Sequence, residues 1–487
     1  MNLRLSLAIL GASVLYEYGA QASSSSSSRP PPAPLDSYWQ VSPPLNYSDP
    51  LYAGWPQLAV DREVLVHRGT DVARTYAHHP ALHYDGQHGR LYLQYSSAPI
   101  DEDATGQESW LSTSTDGGRT WSAGVSILPT ALLPNQTGVG PANYTYWCDR
   151  RVYQRALHPS AWVPVPVVGG DDDDTTLYAV SQTTIRYCWG EGDQGTKAAG
   201  RVARAIDRRD GRPVGDPCWA SRNEWTDAVG FPETVYGTRY GMRPCRHARQ
   251  IEAYLSEPAT VPAWESWLYA TALYAADDAH DVQEPTNAVW FPSNDSDSST
   301  HSRSNDGGGG GGGGGYWERF WRDISGSDIA SHAVWVERTA ERGGDDWYPK
   351  VKAQHGNQIF RTNIPDAGSK QHFGRLLRPG GRSGGDRFLI HNPRNNSEKL
   401  RQPLTIATSR GSGGADDGDG GGGWSPYRGI GVLRTGANTT IAPDTRGLKR
   451  LMFSYPTAVV VGGKLVVAYS ENKENIWVSI VDIKNLP

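Results

Sequence analysis

Short runs of alternating apolar and polar residues, bounded by turn-forming residues, recur along most of the chain. Such runs are typical of β-strands, because successive side chains of a strand point to opposite faces of its sheet. Helical periodicity is scarce. The clearest predicted strands are 90–97, 176–184, 331–339, 386–392, 403–409, 464–471 and 475–483. Many short strands in a chain of 487 residues favour a β-propeller over a sandwich or a barrel.

One local motif strengthens this prediction. Residues 114–121 read Ser-Thr-Asp-Gly-Gly-Arg-Thr-Trp and match the pattern S-x-D-x-G-x-T-W of an Asp box, between predicted strands 108–113 and 125–128. The aspartate accepts turn amides, glycine permits a positive φ, and the tryptophan folds back over the hairpin. We predict an all-β, single β-propeller with Asp-box blades. The structural Asp-box residues are Ser114, Asp116, Gly118, Thr120 and Trp121.

Composition supports strands and disfavours two other classes. The chain has 18 Trp and 24 Tyr against 7 Phe and 3 Met, which is unlike a helical bundle packed on Leu and Met. A formal net charge of −5 is nearly balanced and disfavours a general nucleic-acid binder. Nine of the 47 basic residues are Lys, which leaves 38 Arg, and Arg suits planar carboxylates.

The chain divides into an export signal, a linker and one folded domain. Residues 1–22 carry Arg4, an apolar stretch and Ala20-Gln21-Ala22, which predicts a cleaved signal peptide. Residues 23–35 are a Ser/Pro-rich linker, and 36–487 form the propeller. Low-complexity inserts near 171–174, 294–315 and 411–423 are expected to loop out from strand ends. No later segment is long and apolar enough to predict a transmembrane helix.

Cysteines and sequons agree with a secreted glycoprotein. Cys148, Cys188, Cys218 and Cys245 are the four cysteines, and in an oxidising compartment they predict two disulfides with three connectivities open. No close CxxC pair indicates a zinc site. The N-x-S/T sequons are Asn46, Asn135, Asn143, Asn294, Asn395 and Asn438.

Three blocks of residues resemble a secreted family of propellers, the fungal L-rhamnose-α-1,4-D-glucuronate lyases, which are related to ulvan lyases and propeller α-L-rhamnosidases. The first block holds Tyr76-Ala77-His78-His79-Pro80 and residues 98–107. The others hold 361–370, 391–393 and 402–405, then 455–458 and 467–474. Segments 148–154 and 195–201 are similar to the fungal branch. The resemblance implies seven blades, with six as the alternative.

The resemblance implies a polysaccharide lyase that removes terminal L-rhamnose from glucuronate-capped plant glycans by β-elimination. The expected partner is an acidic plant polysaccharide, met outside the cell by a monomer, with no nucleic acid and no membrane. No cofactor is expected to be required, and a structural calcium ion is left open. Two alternatives remain: a glycoside hydrolase on the same fold (exo-sialidase or α-L-rhamnosidase), or a noncatalytic glycan-binding propeller. The sequence lacks the Arg-Ile-Pro tripeptide of sialidases early in the mature chain, which disfavours a sialidase.

The elimination removes the uronate C5 proton and expels the C4 substituent, so it needs a base, an acid and a cation for the carboxylate. Because side chains alternate along a strand, one of His78 and His79 faces the pocket, and we prefer His79 as base. We expect Arg361 to hold the uronate carboxylate and to lie within roughly 10 Å of His79. The other candidates are Arg155 for the carboxylate, Tyr153 as acid or second base, and Arg222, His355 and Tyr455 for substrate binding.

Two acidic positions near these candidates are assigned other roles. The run Asp101-Glu102-Asp103 follows a strand, and an exposed loop of solvated charges is preferred over a cation or sugar site. Asp366 follows Pro365, and a turn-stabilising role is preferred over catalysis.

Overall fold

The computed structural model places most of the predicted strands, and the residues it describes are 37–44, 46, 54–102, 106–130, 132–133, 153–166, 175–189, 193–222, 243–257, 259–260, 274–275, 281–292, 315–325, 332–339, 359–376, 386–394, 400–409, 426–443 and 449–487. The predicted signal peptide and linker lie outside this set, as do the three inserts apart from Gly315. Within the described residues, no helix combines the length and apolar character needed to cross a membrane.

The first strand, β1 (Val60–Arg68), is followed by a 3-10 turn and then by four antiparallel strands in sequence order. These four are β2 (Tyr76–Asp85), β3 (Arg90–Ala98), β4 (Glu108–Ser114) and β5 (Val125–Leu128). The predicted strands 90–97, 108–113 and 125–128 therefore agree with β3, β4 and β5 to within one residue.

The second sheet contains longer strands, and strands that are adjacent in this sheet are again adjacent in the sequence. Its members are β6 (Leu132–Leu133), β7 (Tyr153–Pro166), β8 (Thr175–Trp189), β9 (Asp193–Ile206), β10 (Pro213–Arg222) and β11 (Arg243–Pro244). Apart from the parallel pair β10–β11, all its strand pairs are antiparallel.

The third and fourth sheets continue the same meander. In the third, two short strands, β13 and β14, pair with β15. Its strands are β12 (Tyr274–Ala275), β13 (Asp281–Gln283), β14 (Val289–Pro292), β15 (Gly315–Asp323), β16 (Ala333–Thr339) and β17 (Ile359–Pro365). The fourth consists of β18 (His372–Leu376), β19 (Asp386–His391), β20 (Leu404–Ser409) and β21 (Gly429–Arg434).

The fifth sheet joins the two ends of the described chain. Its last three strands are β22 (Phe453–Val461), β23 (Lys464–Glu471) and β24 (Asn475–Asp482). The strand β1 pairs with β24, so the sheet has the order β1–β24–β23–β22. Since β22 also packs against β2 and β18, this pairing closes the meander into a ring. The described strands form five sheets, and the number of blades in the whole ring stays a prediction.

The Asp box has the predicted structure. The Asp116 Oδ1 atom accepts hydrogen bonds from the amides of Arg119 (2.9 Å) and Thr120 (3.0 Å), and Oδ2 accepts from the Thr120 hydroxyl (2.6 Å). Gly118 has a φ of 91°, and Trp121 donates its indole N–H to the Gly118 carbonyl. The Trp121 ring packs against the apolar core between the first and fifth sheets. The motif thus fixes one hairpin and covers part of the core.

A short helix and a disulfide lie beside the second sheet. The helix α1 (Ala248–Ser256) buries Ile251 and Leu255 against that sheet, and the strand pattern gave no sign of it. Cys218 on β10 is bonded to Cys245 just before α1. This confirms one of the predicted disulfides. Cys148 and the side chain of Cys188 lie outside what is described, so their pairing stays a prediction.

Candidate active site

Side chains that precede a proline gather where strands of neighbouring sheets meet. The strand β2 packs against both β7 and β22, which brings residues from three sheets together. The His79 ring lies 4.6 Å from that of His158 and 5.1 Å from that of Tyr455, measured between ring centroids. The dipeptides concerned are His79-Pro80, His158-Pro159, Glu284-Pro285 and Tyr455-Pro456.

The backbone explains why these side chains leave the regular pattern. Proline has no N–H to give to a neighbouring strand, so strand pairing is interrupted there. The register shifts between His78 and Ala81, and again between Ser454 and Thr457. His79, Glu284 and Tyr455 have φ values of 54°, 56° and 58°. Non-glycine residues rarely adopt this conformation, and such strain concentrates at functional sites.

His79 is nearly fully buried and is held from both ring nitrogens. Its Nδ1 lies 2.9 Å from the Ser96 hydroxyl and 3.4 Å from Nδ1 of His158. Its Nε2 lies 3.3 Å from Oε1 of Glu102. Burial lowers the pKa values of His78 and His79 well below the usual range, and neighbouring positive charges add to the shift. Both imidazoles are therefore neutral at neutral pH.

Glu102 is a buried carboxylate at the centre of this group. Its Oε2 accepts from the Lys473 ammonium at 2.5 Å, and Oε1 accepts from the Tyr76 hydroxyl at 3.1 Å. Burial alone would raise the pKa of Glu102, but the Lys473 ammonium and the imidazoles bring it well below the usual range. Asp101 is also buried. The prediction that these two residues belong to an exposed loop was wrong, because Lys473 arrives from a distant part of the chain.

Tyr455 connects the imidazoles to a second, basic half of the site. Its ring lies 4.0 Å from the His78 ring on one side, and the Lys370 ammonium lies 4.3 Å above it. Its hydroxyl accepts from Arg322 at 3.3 Å. Burial raises the pKa of Tyr455 to about 12, so the phenol keeps its proton at neutral pH.

The basic half carries more positive than negative charge. Arg322 and Lys370 both contact the Glu284 carboxylate, with the Lys370 ammonium 3.4 Å away. The Arg401 guanidinium lies 5.4 Å from the Tyr455 ring. Burial lowers the pKa of Lys370 to about 7.

Across both halves, four basic side chains face two carboxylates: Lys370, Lys473, Arg322 and Arg401 against Glu102 and Glu284. Asp366 interacts with Arg322, and burial raises the pKa of this carboxyl to about 7. Below that pH it is mostly protonated and removes little of the surplus positive charge. Its oxygens accept from the amides of Asp323 and Ser369, in agreement with the predicted turn-stabilising role.

The structure brings three of the predicted site residues together, namely His78, His79 and Tyr455. Arg361 is placed differently: it lies on β17, the outer strand of the third sheet, opposite Trp335. Three strand spacings, about 14 Å, separate that strand from β13, which ends just before Glu284. The strand order therefore does not support the expected proximity of Arg361 to His79, and the role of Arg361 stays a prediction.

Four other candidates have side chains that the structure does not describe. Tyr153 and Arg155 begin β7, and Arg222 ends β10, but their side chains are not described. His355 lies outside the described residues. Their predicted roles therefore stay predictions.

Sequence reasoning missed several residues of the site. One signal was available in the sequence. His79 and Tyr455 both precede a proline at a strand bend, and a search for residues before proline also finds His158 and Glu284. No comparable local signal marks the basic residues, which are Lys370, Lys473, Arg322 and Arg401.

Comparisons with known proteins agree with the fold. The model of a family described as Beta-prop_BT_1020-like, N-terminal beta propeller, matches residues 58–153. No curated protein matches the sequence. A solved structure named "Sialidase" is similar with a TM-score of 0.57 and 17% identity, covering 91% of this chain and 35% of that chain. The chain thus spans about a third of that sialidase's length.

Two further solved structures are similar at lower scores. The intramolecular trans-sialidase from Ruminococcus gnavus has a TM-score of 0.40 and 11% identity, covering 86% of this chain and 97% of that one. The NanB sialidase from Streptococcus pneumoniae has a TM-score of 0.39 and 10% identity, covering 91% and 72%. With the family match and the higher-scoring sialidase, the strand meander shows that the chain has an all-β, sialidase-like β-propeller fold.

Proposed function

We propose that the protein is a secreted enzyme that acts on an acidic plant glycan and cleaves it by β-elimination next to a uronate. The observation that carries the proposal is the surplus of buried basic side chains beside a group of neutral imidazoles. A buried surplus of positive charge favours an anionic ligand, and guanidinium groups suit a carboxylate.

The carboxylate of the sugar is assigned to the basic half of the site. Arg322, Lys370 and Arg401 would neutralise it and stabilise the enolate-like state that forms when the neighbouring C5 proton leaves. Arg322 and Arg401 both donate to the Gly368 carbonyl, at 2.7 and 3.0 Å, which fixes their positions relative to each other. This arrangement replaces the predicted use of Arg361 and Arg155 in the proposal.

Proton transfer is assigned to His158 and Tyr455. His158 is half-buried, whereas both ring nitrogens of His79, the preferred base of the sequence analysis, face the side chains of Ser96 and Glu102. In the proposed step, His158 takes the C5 proton, the electron pair forms the C4=C5 double bond, and the C4–O bond breaks. The leaving oxygen takes the Tyr455 hydroxyl proton, which is present at neutral pH.

The test is digestion of gum arabic with the secreted protein, followed by mass analysis of the products. Elimination gives an unsaturated uronate, which is one water lighter than the hydrolysis product and absorbs ultraviolet light. His158→Ala is expected to slow the reaction by about 10²–10⁴-fold, the usual contribution of a general base. Arg401→Met is expected to raise KM, and Arg119→Met, at an exposed position in the Asp-box turn, is the matched control. The proposal would be refuted if the digest contained no unsaturated product and showed no turnover.

A hydrolase is the second candidate, because Tyr455, Glu284 and the two arginines Arg322 and Arg401 partly match the Tyr–Glu pair and arginines that a sialidase needs. The structural similarity to a sialidase favours the same alternative. The mass experiment separates the two reactions, because hydrolysis adds water and leaves no double bond. Release of sialic acid or intact rhamnose without ultraviolet absorbance would support this candidate instead.

A further inference from the structure

Three potential metal ligands meet beside Tyr455. Within the part of the chain that the structure describes, one donor atom each from His78, His79 and Glu102 lie within 4.8 Å of one another. His78 is fully buried, and neither of its ring nitrogens has a hydrogen-bond partner among the described residues. A buried polar group without a hydrogen bond costs free energy, so we expect a ring nitrogen of His78 to bind a ligand.

The contacts of Ser96 are compatible with the tautomer of His79 that binds a metal ion through Nε2. The Ser96 hydroxyl has one proton, and the His78 carbonyl lies 3.0 Å away to accept it. When the proton is donated there, the imidazole Nδ1–H is the donor in the 2.9 Å contact between Ser96 and His79. A neutral His79 ring then has its lone pair on Nε2.

That lone pair faces a carboxylate oxygen. The distance from His79 Nε2 to Glu102 Oε1 is 3.3 Å, and both atoms are acceptors in this protonation state. A cation between these two atoms attracts both of them, whereas without a cation the other tautomer of His79 donates Nε2–H to Glu102. Two donors bound at 2.0–2.1 Å to a tetrahedral zinc ion lie about 3.3 Å apart, which equals the distance between His79 and Glu102. The donor atom of His78 lies within 4.8 Å of both and has to approach them to complete the set.

The surrounding contacts are those that usually orient metal ligands. The Nδ1–H of His79 donates to Ser96, and the second oxygen of Glu102 accepts from Lys473 at 2.5 Å. Metal-bound histidines and carboxylates are commonly held in this manner by their second nitrogen or oxygen. The neutral imidazoles and the ionised carboxylate are also the protonation states that metal binding requires.

We propose that His78, His79 and Glu102 form a binding site for a divalent transition ion of the zinc class. Two imidazoles and one carboxylate suit zinc, whereas calcium and magnesium take oxygen ligands. Three protein ligands leave the fourth position of a tetrahedral ion for water or a substrate oxygen. The inference goes beyond the proposed function and does not depend on it, because metal binding is measured without a glycan.

The test is zinc titration of the full, untagged chain by calorimetry after treatment with a chelator. One zinc ion per chain is expected, with a rise in the melting temperature because the ion binds the folded state. His78→Ala and the similarly sized Glu102→Gln are each expected to lower the affinity at least tenfold. The matched control is His83→Ala on the same strand, which is expected to bind as the unaltered protein does. Circular dichroism of each variant checks folding.

Cobalt supplies a second measurement that a loosely attached ion does not mimic. A tetrahedral cobalt site absorbs visible light, and this absorbance is expected in the unaltered protein and in His83→Ala but not in His78→Ala. Failure of the unaltered protein to bind zinc would overturn the proposal, as would equal affinity in folded His78→Ala. An NMR signal of a doubly protonated His79 ring in zinc-containing buffer would also overturn it, because a proton would then lie between His79 and Glu102.

Discussion

At the Asp-box turn, one carboxylate satisfies most of the polar groups of a tight hairpin. Asp116 accepts from two backbone amides and one hydroxyl within four residues of itself, and the Ser114 hydroxyl also donates to it. These hydrogen bonds lower the pKa of Asp116 to about 2, although its slight burial acts in the opposite direction. All of them are local, which is why the motif is recognisable in the sequence.

Replacing this carboxylate should destabilise the protein measurably. We expect Asp116→Ala to lower the free energy of unfolding by about 1–2 kcal/mol, since hydrogen bonds to a charged group are lost at an exposed turn. Because the folded-state pKa lies below the ordinary value of 3.8, the contribution is complete above about pH 4 and disappears as the pH falls through about 2. Urea denaturation at pH 7 and pH 3 measures both effects. The exposed Thr115→Ala is the control, and equal stability of the two variants would contradict the prediction.

At the scale of elements, close packing between paired strands restricts side-chain size. Gly374 on β18 pairs with Phe388 on β19, and a Cβ added at Gly374 would lie 2.6 Å from the Phe388 ring. Phe388 belongs to the core shared by the fourth and fifth sheets. The backbone of Gly374 has no positive φ, so side-chain volume alone limits this position.

We therefore expect Gly374→Ala to lower the free energy of unfolding by about 1–3 kcal/mol, the usual cost of overpacking a core. The control is Gly86→Ala, where the nearest atom to an added Cβ lies 3.8 Å away. Guanidinium denaturation of both variants measures the difference. A loss at Gly86 as large as that at Gly374 would show that the cost does not come from Phe388.

At the scale of the whole molecule, residues from several sheets set the charge of the site. Lys370 releases its proton near pH 7 in the folded chain, because burial opposes its charge, and near pH 10.5 when unfolded. Between these values the unfolded state holds more protons, so this group makes folding stability rise with pH. Ligand affinity changes in the opposite sense, since the site loses one positive charge as the pH rises through about 7.

We expect the affinity for D-glucuronate to fall about tenfold, or about 1.4 kcal/mol, between pH 6 and pH 8.5. Calorimetric titration across this range measures the change. Lys370→Met should bind more weakly at pH 6 and reduce the pH dependence to the part that comes from Asp366, whose pKa is also about 7, whereas Lys484→Met, at an exposed position, should retain all of it. The same pH dependence in Lys370→Met would assign the titration to another group.

Local sequence patterns predicted the strands named in the sequence analysis, the Asp box and the segment His78-His79-Pro80. Each depends on alternation along one strand or on hydrogen bonds within a few residues, so the local sequence is sufficient. The sequence analysis missed the helix α1 and the position of His158 beside His79, although both histidines directly precede a proline.

The burial of charges and the contacts between distant side chains depend on the tertiary fold. The sequence around Glu102 predicts a solvated loop residue. In the fold, Lys473, which lies 371 positions later, supplies the counter-charge of Glu102. The Lys473 position depends on the ring, which closes when β1 pairs with β24 at the other end of the described chain. Burial and counter-charge depend on neighbours in space, which a pattern of neighbours in sequence does not contain. For the same reason Arg361 resembles a site residue in sequence and lies on an outer strand in the fold.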